Sequence, residues 1–543
     1  MQSRSPILVV GACTTGLTMA CELARHGVPV RIIDKHAGID PHCRATTLHC
    51  RTLEIFHDLG IVDYFLDHGV KLSGISQFAN GQRILHSTGS DVDSPFPFAV
   101  SVEQGKTEAE LVRLLGSYGV EVERETELLT FAEEPDKVLA SIRRTNGREQ
   151  RVSTPWLIGC DGAHSTVRHV NRLHFPGTED PHQYFVGDVK MDCPLAEGEV
   201  NTFVSDSGML FIIPLPGERW LIGGDVDTMH ETGDRIALEE VQAMIDVRAP
   251  LGIRVRSARW LTYYRVNNRT ARHYRHGRTF LAGDAVHVHS PFAGLGMNTG
   301  IQDAYNLAWK LALVYRGHAP ERLLDSYELE RRPVGEDTVK FTMTRTDALE
   351  CFRDMSEARR RKLYYNLNVP PRVARHLQAH QEQLDLDYSK SFVCREHHGS
   401  ASRFAAGPRA GAQAIDAKPL VSRGRRITLF ELLRGPKHTL LLFPGTDREA
   451  VSWRRMSELS RSLHASRGEL LNIFFVTPEA DRVPPDLDLD AEVISDPEHA
   501  LHNRYGAGKE CVYLIRPDGY VGYRAQPAAA GTLHEYLNSV LCP

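Results

Sequence analysis

Three stretches of this chain pair glycine turns with carboxylates in a way that plain packing does not require. GACTTG (11–16), CDGAHSTVR (160–168) and GDAVHVHSPFAGLGMN (283–298) each follow a short apolar run. In the first, glycines hold two of the three positions of G-x-G-x-x-G, the turn that carries a strand into a helix beneath a phosphate. Gly11 suits the tight turn and Gly16 the close packing of helix on strand. Cys13 replaces the middle glycine, where backbone comes nearest a pyrophosphate. A helix opening at Thr14 and Thr15 aims free N–H groups and a positive dipole at that group. Asp34 and Lys35 close the next strand, where a carboxylate can bind a ribose.

In the third stretch a buried strand ends on Gly283 and Asp284. Pro291, Gly294 and Gly296 then strip side chains from the loop before a long helical pattern that begins near Met297 and Asn298. Something polar must lie against that backbone. Asp161 with Gly162 holds the corresponding place after the middle strand, with Ser165 and Arg168 one helical turn apart. His287 and His289 form an H-x-H pair, but no third ligand stands at metal-site spacing, so no metal is expected.

These residues must be positioned by strands and helices. Residues 7–34 read as strand, turn, helix, strand, with Leu17, Ala20, Cys21 and Ala24 at helical spacing. Glu22 and Arg25 in that helix argue against a secretory signal, and no apolar run is long enough to span a membrane. Helices are expected at 49–59, ending at Gly60, at 106–117, 298–316, 322–346 and 357–383. The region 183–261 reads as alternating strands, with a hairpin at PLPGE (214–218) and a tyrosine pair, 263–264, beyond it. After about 400 the order is strand (438–443), helix, strand (471–476), hairpin and helix (531–541).

With 543 residues the chain is expected to divide into two or three domains. Its net charge of −5 and mixed charge pattern exclude a nucleic-acid surface. Ten scattered cysteines without a C-x-x-C pair indicate free thiols and a cytoplasmic setting.

Taken together, the three motifs resemble the class A, single-component FAD-dependent aromatic hydroxylases, in particular the phenol and polyketide hydroxylase branch. The resemblance implies an α/β, Rossmann-like FAD-binding domain of the para-hydroxybenzoate hydroxylase type (1–72, 98–182 and 262–398). It also implies a β-sheet substrate domain (73–97 and 183–261) and a thioredoxin-like C-terminal domain (399–543) that lacks the redox cysteines and is expected to serve packing or dimerisation. It places Arg44, in HCRATTLHC, at the pyrophosphate and Gln104 near the flavin. Asp284 is implied to bind the ribityl chain, with loop 291–296 beside the flavin ring. Phe211, Tyr264, Phe292 and Ala293 are expected at the substrate. Ala293 and Leu295 stand where the family usually has Gly and Gln.

The implied reaction uses NADPH or NADH and O2 to hydroxylate an aromatic, phenolic or polyketide-like substrate through a flavin C4a-hydroperoxide; no acid–base residue is identified. The same motifs leave open epoxidation or Baeyer–Villiger insertion, or a non-catalytic nucleotide-binding scaffold. No nucleic-acid or membrane partner is expected, and a homodimer is allowed.

Overall fold

The computed structural model describes residues 5–42, 45–88, 92–226, 230–231, 236–353, 355, 371–398, 403–446, 453–479 and 489–542. Arg44, part of the expected pyrophosphate site, and 357–370 of an expected helix lie outside the described residues.

The run Ile7–Val10 is buried at all four positions and forms a central strand, as β-branched residues covered on both faces do. It lies in a six-stranded sheet ordered Arg275–His276, Thr279–Leu281, Leu157–Gly159, Ile7–Val10, Val30–Ile33, Val122–Glu123. All but the first strand run parallel. Val10 stands opposite both Ile33 and Gly159, and Gly159 opposite Leu281. The carboxyl ends of four strands therefore share one edge, and all three motifs leave from it. Helix α1 (Thr14–Arg25) returns under the sheet on Leu17, Ala20 and Leu23. Helix α2 (Cys50–Leu59) ends at Gly60 in the left-handed conformation, as the sequence suggests. Helix α3 (Gln104–Ser117) follows.

A second sheet of eight strands is built on two long partners, Gly177–Asp192 and Arg254–Thr270, which run beyond the expected limits 183 and 261. The hairpin Gly74–Ala79 and Gln82–Thr88 extends one edge, and His287–Val288 closes the other. The region 183–261 is not all strand, because Leu238–Arg248 forms a helix, α4. Only Val241, Ile245 and Arg248 of α4 are buried, too narrow an apolar stripe to stand out among the strand patterns. The strand period of two decides what the sheet offers each side. Phe185, Leu210, Ile212, Trp220 and Ile222 pack on the α4 side. Val186, Phe211, Ile213, Leu221 and Tyr264 turn the other way.

Helix α5 (Gly296–Arg316) crosses α1 closely: a Cβ on Gly300 would stand 2.3 Å from Thr15 Oγ1. Helix α6 (Asp325–Arg353) carries Pro333 within it, and α7 (Pro371–Gln381) follows. Beyond them a further eight-stranded sheet is ordered Arg395–His398, Val521–Gln526, Cys511–Ile515, His438–Phe443, Leu471–Thr477, Glu492–Ser495, Leu420–Ser422, Arg425–Ile427. A buried charge network locks it to the rest. Glu330 on α6 accepts from Lys310 Nζ at 2.7 Å, from Asn306 Nδ2 at 2.7 Å and from both Arg516 Nη atoms at 2.8 Å. Burial alone would raise the Glu330 carboxyl, but Arg516 and Lys310 outweigh it and hold it far below the usual carboxylate range. Removing one partner of such a set strands the others in a dry interior. Glu330→Gln is expected to cost about 3 kcal/mol or more in urea unfolding. Glu336→Gln, at a half-exposed pair with Arg332, should stay within about 0.5 kcal/mol of wild type.

Candidate active site

The aligned strand ends create the first half of the site. Gly11 has φ +99°, and a Cβ there would lie 2.3 Å from the Cys160 carbonyl oxygen. A Cβ on Gly16 would meet the Gly11 carbonyl oxygen at 1.9 Å, so no other residue fits this turn. Cys13 does not crowd the turn. Its thiol donates to the Cys160 carbonyl at 3.3 Å, and burial pushes its pKa up to about 12, so it stays neutral. The turn is pinned by Asp34, whose Oδ2 accepts from Ala12 N–H at 2.7 Å and whose Oδ1 accepts from His36 N–H at 2.8 Å. Ser165 caps the short helix after Asp161, and Arg168 in that helix donates to the Ala285 carbonyl at 2.9 Å, tying the second motif to the third.

The third motif is held from beneath by Asp303 on α5. Its carboxylate accepts from Gly283 N–H at 3.0 Å, pairs with His287 Nε2 at 2.8 Å and with Arg331 Nε at 2.7 Å, all fully buried. Burial would raise Asp303, but Arg331 and His287 more than offset this and keep it ionised. His287 is thus part of a structural hydrogen-bonded set. His289 places Nδ1 3.0 Å from the Ser290 carbonyl, and burial lowers its pKa to about 4, so it is neutral. Among the described residues no group of His, Cys, Asp or Glu could hold a metal ion.

The loop 291–296 is clamped by side chains that sequence reading missed. Asn298 donates to the Thr47 carbonyl at 2.8 Å and the Gly294 carbonyl at 2.7 Å, and accepts from His49 N–H at 3.0 Å and Thr52 Oγ1 at 2.7 Å. Its amide is fully used, so it shapes the loop and does not line the cavity, unlike the expectation. Gly16 and Gly283 also act behind the cavity wall, in the turns that support it. Ala293 O faces His49 Nε2 at 3.2 Å and accepts from Gln381 Nε2 at 2.6 Å. Glu382 in turn faces His49 Nδ1 at 3.2 Å and accepts from Cys50 N–H at 2.9 Å. Burial would raise Glu382, but His49 and the Cys50 amide outweigh it and hold it at about 2. No local motif marks these residues, because most of the partners lie between 88 and 333 positions apart in the chain.

Motifs, loop and second sheet enclose one cavity of about 2140 Å³. That is roughly twice the upper end of ordinary ligand pockets, room for two ligands. At one end it meets Gly11, Cys13, Thr14, Thr15, Asp34 and Lys35; Gln104, Asp161 and an exposed Asp284 follow. Pro291, Gly294, Leu295, Gly296 and Met297 form the rim between the two halves. Phe211, Tyr264, Phe292 and Ala293 line the same cavity toward the second sheet. There Phe292 meets Phe211 and Tyr184 edge-on, with ring centroids 5.9 and 5.5 Å apart. Neither α1 nor α5 has a side-chain cap or an acidic residue in its first turn, so both N-termini present bare N–H groups and dipole toward the cavity.

A protein family described as an FAD binding domain matches residues 4–342, more than half of the chain. The chain belongs to the class A FAD-dependent aromatic hydroxylases. This monooxygenase is 34% identical to a 6-methylpretetramide 4-monooxygenase of Streptomyces rimosus, over 98% of its own length and 93% of the relative's. It is 29% identical to a pentachlorophenol 4-monooxygenase of Sphingobium chlorophenolicum, over 98% and 96% of the two chains. Among solved structures, the anhydrotetracycline hydroxylase OxyS of Streptomyces rimosus matches with a TM-score of 0.74 and 26% identity over 99% of both chains. The fold is also that of the flavin-dependent monooxygenase PieE, with a TM-score of 0.82, 23% identity and coverage of 99% and 100%. The non-catalytic scaffold reading is thereby set aside.

The monooxygenase fits its cofactor on its own geometry. The glycine turn at Gly11 leaves the backbone open, two uncapped helix ends suit anionic groups, and Asp161 Oδ1 is buried without a hydrogen-bond partner. The Glu382 clamp has a pH signature. Its folded value lies below its ordinary value of 4.5, so its contribution is present above about 4.5 and is lost as pH falls toward about 2. Glu382→Gln is expected to weaken flavin retention roughly tenfold at neutral pH, read by fluorescence titration. An unchanged dissociation constant would show that the clamp does not serve the cofactor.

Proposed function

We propose that this monooxygenase uses NADPH or NADH and O2 to hydroxylate a bulky, apolar aromatic of the phenolic or fused-ring polyketide kind. The observation that carries the reading is the double cavity, a polar half at the strand ends joined to a half lined by Phe211, Phe292 and the apolar face of the second sheet. The relatives named for pretetramide, pentachlorophenol and anhydrotetracycline support the same class of substrate.

In this reading Asp34 and Lys35 take the adenosine ribose, and the α1 N-terminus with Thr14 and Thr15 takes the pyrophosphate. Asp284 takes the ribityl hydroxyls. When bound, FAD would supply the hydride-accepting and oxygen-activating chemistry by which one atom of O2 enters the aromatic ring and the other leaves as water, at the expense of the nicotinamide. The chain's own part is placement and exclusion. The uncapped α5 terminus at Gly296 and Met297 would stabilise negative charge on a flavin held beside it. Leu295, only 2% exposed, and Phe292 keep water from the reacting face. Leu295 supplies no hydrogen bond, so loop polarity here comes from backbone alone.

We read residues 399–543 as a thioredoxin-like unit, which the strand order Leu471–Thr477, His438–Phe443, Cys511–Ile515, Val521–Gln526 supports. Its role is packing, since Cys511 is buried and unpaired. Among the described residues nine cysteines are without a disulfide partner, which supports a cytoplasmic setting, and no helix of these residues is long and apolar enough to cross a membrane.

The reading is tested on protein loaded with FAD. NAD(P)H oxidation and oxygen uptake are followed against a panel of phenols and polyketide aromatics, with products examined by mass for one added oxygen atom. Substrate-stimulated turnover with a hydroxylated product is expected. Flavin-loaded enzyme that no aromatic stimulates would overturn the assignment. Asp284→Ala is expected to raise the flavin dissociation constant at least about tenfold while the far-ultraviolet circular dichroism is unchanged. Full flavin content in that variant would contradict its role.

A further inference from the structure

The substrate half of the cavity contains a cation with no carboxylate beside it. Arg345 lies on α6 and lines the cavity next to loop 291–294. Its neighbour Thr346 donates to Ser290 Oγ at 3.1 Å, which fixes this turn of α6 against the loop. Arg345 Nη1 donates to Gln381 Oε1, and the guanidinium sits 5.4 Å from the centroid of Phe341. Gln381 cannot turn away, because its Nε2 is committed to the Ala293 carbonyl. Among the described residues no carboxylate lies within ion-pair distance of Arg345. The nearest along the chain from Gln381, Glu382, is committed to His49 and the Cys50 amide.

A half-buried guanidinium whose partners are one neutral amide and one aromatic face has lost hydration without charge compensation unless an anion meets it. Burial accordingly lowers the Arg345 pKa, with no neighbouring charge opposing it. Its planar fork of N–H donors matches two oxygens held in a plane, as in a carboxylate or the enolate of a 1,3-dicarbonyl, and it also binds a phenolate.

We infer that Arg345 is an anion-recognition subsite of the substrate chamber, and that the enzyme selects aromatics carrying an ionised oxygen over their neutral counterparts. The inference rests on the hydroxylase reading and narrows its substrate class. Arg345 would anchor the acidic edge of the ring system, while Phe211 and Phe292 hold its apolar body.

The test is equilibrium binding to FAD-loaded protein at pH 8 by isothermal titration calorimetry. The probes are pentachlorophenol with its methyl ether, 1-hydroxy-2-naphthoate with its methyl ester, and anthraquinone-2-carboxylate with its amide. At least one acid is expected to bind roughly tenfold or more tightly than its neutral partner. Arg345→Gln should remove that preference and leave the neutral ligand unchanged, and Arg345→Lys should restore part of it. Flavin content is measured in every variant. A wild-type protein that takes up no FAD would defeat the hydroxylase reading itself. A flavin-loaded wild type with no acid preference in any pair would overturn the subsite. So would an Arg345→Gln protein that keeps both its flavin and the preference.

Discussion

The register of a parallel sheet governs this molecule. Val10, Gly159 and Leu281 stand at one level across three neighbouring strands, so segments far apart in sequence emerge side by side. A slip of one residue in any of these pairings would invert the faces of a buried strand and move its motif off the edge. At this edge two helices begin without caps, and their dipoles point the same way into one space. Two uncapped positive helix ends at one cavity are tolerable only where solvent or an anionic ligand meets them. The demand for a negatively charged, hydrogen-bond-accepting cofactor is therefore set by backbone before any side chain is chosen.

The side chains then divide into those that face the cavity and those that hold its wall. Asp303 and Asn298 belong to the second kind and are saturated with partners, whereas His49 and Glu382 both border the cavity and brace its loop. A loop that must lie close to a flat ring cannot brace itself with its own side chains. Its backbone carbonyls are instead held from behind by amide and imidazole groups on α5, α7 and the start of α2. Preorganisation of this kind is paid for in folding and returned when the site must stay rigid.

What the sequence disclosed follows from how local each signal is. Gly11, Gly16 and Gly60 were legible because a turn or a cap is written within a few residues. Of the residues that line the cavity toward the second sheet, Phe292 sits in a loop already marked by its glycines, whereas Phe211 and Tyr264 were suggested only by the family resemblance. Helix α4 was not, since two apolar residues and a buried Arg248 paired with Asp225 do not make a helical stripe. Asn298 was read as a cofactor contact because it borders the glycine loop, whereas its amide is consumed by Thr47 and Gly294. Arg345, Gln381 and Glu382 gave no signal, for their partners are met only when α6 and α7 fold back over the site.

Among the contacts that join the C-terminal unit to its neighbours, one reverse turn gathers three helices. Arg51 on α2 donates to the Asp518 carbonyl at 2.6 Å, Tyr305 on α5 to the Pro517 carbonyl at 3.2 Å, and Arg516 reaches Glu330 on α6. Three helices of the cofactor half thus close around the tip of one distant hairpin. Such a unit is not an interchangeable cassette. A recombinant that exchanged it for another chain's tail would have to import the matching hairpin tip as well as the apolar face that meets Trp309 and Leu313, so inheritance of the two parts is coupled.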